Sequence, residues 1–196
     1  MFSTELRLAL QPQRIYEQLV ARDGDVTFWQ MLARPATVVF AIALAIPMMT
    51  VHRVTFKLAA TTAAASSVAV AIEFLAAICV IASVPSLRVS RARAIDLWFA
   101  GHMPYSLWLL ALPVATLYRS TSPLEIIGVT ATVPLLWTAF IVAAFCRAVL
   151  GTSPAGARWR AGIHLGAVSL VASTLFIIAA GGGAALFSYA LRRIAE

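Results

Sequence analysis

The chain has 196 residues, 61% of them hydrophobic and 12% charged, with a formal net charge of +7. A water-soluble domain is about 45–50% apolar and about 25% charged, and one this small could not hide so much apolar surface. Two cysteines exclude a disulfide scaffold and the hydrophobicity excludes a disordered tail, which leaves an all-α, polytopic membrane protein.

Residues 1–34 read as a cytoplasmic amphipathic N-terminal segment. Met1 to Arg14 includes Glu5, Arg7, Gln11 and Pro12 and lacks the apolar region of a signal peptide. Pro12 suits the first turn of a helix on which Ile15, Tyr16, Leu19 and Val20 share a face opposite Gln13, Arg14 and Glu17. Asp23-Gly24-Asp25 makes a turn, and Asp25 suits the N-cap of a helix through Phe28 and Trp29. Such a segment either packs against the bundle or docks a cytoplasmic partner.

Residues 35–196 read as one domain, a five-helix transmembrane bundle. A span needs about 20 mostly apolar residues. The five candidates cover about 35–51 (starting as early as Phe28), 58–87, 97–118, 126–146 and 161–183. Gly181-Gly182-Gly183 would end the last span ahead of a short tail helix. Pro104 and Pro113 would kink the third. Gly162 and Gly166 make a GxxxG step that suits close helix packing.

Charge then sets direction. Ten basic residues fall in the N-terminal segment and in the loops after the second and fourth spans, against five on the other side. The positive-inside rule puts the N-terminus in the cytoplasm and the C-terminus outside. Trp29, Trp98 and Trp159 would anchor the cytoplasmic ends of spans, and Tyr118 and Tyr189 the far ends. Trp108 and Trp137 fall inside spans and would pack between helices. The arginines punctuate apolar runs without forming a basic face, so no nucleic-acid partner is expected. Arg88, Arg91, Arg93, Arg147, Arg158 and Arg160 instead suit anionic lipid headgroups on the cytoplasmic side.

Glu73 is the only acid deep inside a span. A charge at mid-bilayer is costly and therefore biased toward function. Residue counting places Tyr105, Ser106, Thr138, Ser173 and Thr174 at its depth, with His102 about one turn nearer the cytoplasm. This polar set would hold a proton, an ion or a lipid headgroup, or else fix helix packing by a single hydrogen bond. His52 and His164 fall near opposite surfaces and no HxxxH or HExxH spacing occurs, so neither a metal site nor a cofactor is expected. Cys79 and Cys146 read as free thiols.

No catalytic motif occurs, and the loops are too short to build a water-facing active site. An intramembrane enzyme using Glu73, Asp96 and His102 fits least, because Asp96 would sit roughly three turns from Glu73's depth. The leading expectation is a non-enzymatic protein that organises lipids or partner proteins, with homo-oligomers or other membrane proteins as partners. The alternative is a small oligomeric transporter or channel using Glu73 as a proton- or ion-coupling residue.

The stretches LQPQRIYEQLVARDG (10–24), FAGHMPYSLWLLALPVATLY (99–118) and PLLWTAFIVAAFCRAVLG (134–151) resemble the Ypt-interacting protein (Yip) domain family in its small bacterial inner-membrane form. Gly101, Pro104 and Tyr105 supply the glycine, tyrosine and proline of the family's third span, in a different order. The resemblance implies a cytoplasmic N-terminus, five spans and partners among other membrane proteins.

Overall fold

The computed structural model describes residues 2–22, 24–117 and 129–178, together with Tyr189, Arg192 and Arg193. The described residues form α-helices without strands: α1 (Phe2–Leu10), α2 (Pro12–Ala21), α3 (Phe28–Val51), α4 (Phe56–Ala82), α5 (Arg91–Ala100), α6 (Met103–Leu117), α7 (Thr132–Ala148) and α8 (Pro154–Ile178). The fold is all-α, as the sequence implies.

Two helices, Phe28–Met49 and Phe56–Ala82, are long and apolar enough to cross a membrane. Only 11% of the most apolar stretch of α4 is buried, so this is not the core helix of a soluble domain. That uncovered apolar face points toward membrane association. α7 is apolar but has 17 residues. Five full spans are therefore not established. The start of the fourth at Ile126, the Tyr118 anchor and the Gly181–Gly183 break lie outside the described residues.

Helix ends depart from the expected boundaries for local reasons. α3 begins at Phe28 because Thr27, not Asp25, caps it. The Thr27 hydroxyl accepts from the Gln30 backbone while the Gln30 side chain accepts from the Thr27 backbone. α4 stops at Ala82, five residues early, because Pro85 bars Val84 from helical geometry. α5 starts at Arg91 under a Ser90 cap, six residues ahead of the expected third span. α8 starts at Pro154, whose missing N–H costs nothing there, so Arg158 and Arg160 lie on a helix and not in a loop.

The expected third span is two helices. Gly101 and His102 close 3₁₀-type bonds to Trp98 and Phe99, and the chain then restarts as α6 with Pro104 in its first turn. Pro104 therefore restarts a helix instead of kinking one. Pro113 does lie within α6.

The N-terminal segment packs into the bundle. α2 begins at Pro12 and buries Ile15, Tyr16 and Leu19, the face its periodicity predicts. The Tyr16 hydroxyl donates to the Leu97 carbonyl at 3.1 Å, and the Trp137 indole donates to the Ala9 carbonyl at 2.8 Å. Burial pushes the Tyr16 phenol far above its ordinary range, so it stays a donor. Taking each such large side chain out of water gains about 1.5–3 kcal/mol, enough to make α2 integral to the fold.

Gly101 is where α2, α5 and α7 meet. A Cβ added there would lie 2.8 Å from Ile141 Cγ2 and 2.9 Å from Tyr16 Oη. Both residues are fully buried and have nowhere to retreat. Gly101→Ala is expected to cost about 1–3 kcal/mol, read as a lower thermal midpoint of the detergent-purified protein. Gly24→Ala, with nothing within 4 Å, is the neutral control.

Candidate functional site

Glu73 on α4, His102 at the α5–α6 break and His164 on α8 converge from three parts of the fold. Glu73 Oε1 lies 3.2 Å from His102 Nε2 and 3.7 Å from His164 Nδ1. The Trp98 indole N–H donates to the same oxygen at 2.9 Å. His102 Nδ1 sits 3.2 Å from the Trp98 carbonyl, and the His164 ring meets the Trp98 ring edge-on, centroids 5.1 Å apart. Trp98 thus touches all three residues. Its four-residue spacing from His102 puts the two side chains on one face of the chain, one turn apart.

The hydrogen bonding has a chemical consequence. A backbone carbonyl only accepts, so the tautomer with a hydrogen on His102 Nδ1 suits this contact and turns Nε2 toward the Glu73 carboxylate.

Beside the cluster is a cavity of about 220 Å³. Its walls are mainly apolar, including Val38, Ile42, Val70, Phe99 and Leu135, and Glu73, His102 and His164 form its polar end. Ile72 on α4 and Ala167 on α8 line it and are exposed, so it opens sideways between these helices.

Sequence counting brought some of these residues together and missed others. Tyr105 and Thr138 line the cavity. The Thr138 hydroxyl is bonded to Pro134 on its own helix, and Ser106 donates to the His102 carbonyl behind the site. The side chains of Ser173 and Thr174 lie outside the described residues. His102, counted about one turn nearer the cytoplasm, reaches Glu73 through its side chain. His164, expected near the surface, is buried beside them. Trp98, expected as an exposed anchor, is 2% exposed, whereas Trp29 and Trp159 are exposed at 77% and 70%. Trp108 is half-buried and donates to Thr130, and Trp137 packs on α1 instead of between spans.

Helix ends explain both misses. Glu73 precedes the end of α4 by nine residues, about 14 Å, and His164 follows the start of α8 by ten, about 15 Å. The two are level once α8 starts at Pro154. The signal was the Ser153-Pro154 pair, a helix start in which the Ser153 hydroxyl accepts from Gly156 N.

The arginines expected to bind headgroups divide. Arg91, Arg147 and Arg158 are exposed and Arg160 half-buried. Arg88 donates to the Ala148 carbonyl, which ties the α4–α5 loop to the end of α7. Arg93 pairs with Asp96 at 3.2 Å, and Asp96 also pairs with Arg34. The Asp96 carboxylate is thus held by two arginines. Of the thiols, Cys79 is exposed and Cys146 buried, both free. A Cβ at Gly162 or Gly166 would meet nothing within 4 Å, so the GxxxG face packs against no described helix.

No family model matches this sequence, and no curated protein or solved structure matches it either.

Proposed function

We propose that the chain is a five-span membrane protein, N-terminus in the cytoplasm, that holds an amphipathic molecule drawn from the bilayer in a non-enzymatic, lipid-organising role. The observation that supports this reading is the cavity between α4 and α8, with apolar walls, a side opening and a polar end at Glu73 and His102. A ligand arriving from hydrocarbon needs no aqueous path to such an opening, and few convergent polar groups suffice to orient it. The exposed Arg91, Arg147 and Arg158 would add attraction for anionic headgroups. The Yip-family reading belongs to the same proposal and rests on segments 10–24, 99–118 and 134–151.

Cavity filling tests the reading. A photoreactive fatty-acyl probe in nanodiscs is expected to label the wild type on α4 or α8. Ala76→Phe, which puts a ring into the cavity wall, is expected to cut labelling severalfold with an unchanged thermal midpoint. Equal labelling of a folded Ala76→Phe variant overturns it.

The contact between Glu73 and His102 favours the second reading, a small oligomeric transporter or channel coupled through Glu73. Its mark is a proteoliposome flux that Glu73→Gln abolishes.

A further inference from the structure

We propose that Glu73, His102 and His164 bind a single divalent transition-metal ion, with zinc best matched to two imidazole nitrogens and one carboxylate oxygen. Among the described residues this is a group of three whose candidate ligand atoms all lie within 4.8 Å of one another. Metal–ligand bonds of about 2.0–2.2 Å at tetrahedral angles place ligand atoms about 3.3–3.6 Å apart. The contacts of 3.2 and 3.7 Å lie within about 0.1 Å of that range, and the third pair, within 4.8 Å, closes by a side-chain shift of about 1.5 Å at most.

The surroundings are those of a metal site as well as of a hydrogen-bonded cluster. Histidines that bind metals hand their other ring N–H to a carbonyl or carboxylate, which fixes the tautomer. His102 does this through Nδ1 and the Trp98 carbonyl, leaving Nε2 aimed at the cluster. The Trp98 indole orients the carboxylate of Glu73 in the same way. All three side chains are at least half-buried, and they come from α4, the α5–α6 break and α8, so an ion would cross-link helices far apart in sequence. Three protein ligands leave a fourth position, which faces the cavity. His52, exposed at the end of α3, belongs to no such group among the described residues. The inference does not depend on the amphiphile reading.

The test uses the full chain, purified in detergent and stripped with a chelator, then titrated with Zn²⁺ alone and with Co²⁺ as a spectroscopic probe. The expected result is one ion per chain with the absorption of tetrahedral cobalt. His102→Gln and His164→Gln each lower affinity at least tenfold and remove the cobalt spectrum. Trp98→Phe removes the indole donor alone and weakens binding about tenfold. His52→Gln leaves it unchanged. Thermal midpoints report which variants are folded, and either histidine variant suffices if the other is not. Absence of stoichiometric uptake by the wild type, or equal uptake by a folded His102→Gln or His164→Gln protein, overturns the proposal.

Discussion

Glu73→Lys is expected to prevent the chain from accumulating as a folded protein, while Glu73→Gln leaves it folded. The carboxylate accepts from Trp98 and faces two histidines. A lysine there offers no acceptor to the Trp98 indole N–H and puts a positive charge in a half-buried site without its carboxylate. Stranding a buried charge costs about 3–5 kcal/mol, a large share of the stability of any domain. Snorkelling does not rescue it, because Glu73 lies about 14 Å from the end of α4, beyond the reach of a lysine stem. The glutamine amide of Glu73→Gln would keep an acceptor oxygen for the indole and lose the charge-assisted part of the contact, about 1–2 kcal/mol. Yield, monodispersity in detergent and thermal midpoint read both variants. A Glu73→Lys protein with wild-type yield and midpoint would mean that Glu73 faces open surroundings and that the three-residue site is not a structural unit.

Glu73 stands out in the sequence because an acid inside a 27-residue apolar helix is costly. Its partners were less legible. Hydropathy blurs the ends of helices, and with them the depth of each residue. Pro85 shortens α4, and Pro154 lengthens α8 into a stretch that carries Arg158 and Arg160. Both prolines are plain in the sequence, and together they bring Glu73 and His164 level. Trp98 was misread for a different reason. Tryptophan suits a membrane interface and a packed core equally well, and here its indole and carbonyl face the site. The α2 face was legible because four apolar side chains share it, but its docking surface belongs to α5 and α7, at sequence separations that no local pattern encodes. Whether α6, α7 and α8 cross a membrane is not written in helix geometry. α4 differs because its apolar surface stays uncovered by protein.

Asp96→Ala is the second large effect expected, and it tests a different tie between α3 and α5. The Asp96 carboxylate is 6% exposed and pairs with Arg34 from α3 and Arg93 from its own helix. Arg34 also donates to the Asp96 carbonyl at 3.3 Å. Deleting the carboxylate leaves two part-buried guanidinium groups facing each other, and repulsion adds to the lost pairing. A loss of about 3–5 kcal/mol is expected, which lowers the thermal midpoint by about 6–20 °C for a chain of this size. Asp96→Asn keeps one acceptor and should fall between the two. Because the harm comes partly from the stranded charge, Asp96→Ala should cost less in an Arg34→Met background than in the wild type, and a double-mutant cycle measures that difference. The midpoint shift should also change little with added salt, since buried pairs are poorly screened. A shift under about 2 °C, equivalent to less than about 1 kcal/mol, would show the pair to be a surface contact. The tie between α3 and α5 would then come from the Arg34 hydrogen bond to the Asp96 carbonyl and from the apolar cluster that includes Met31, Val38 and Phe99.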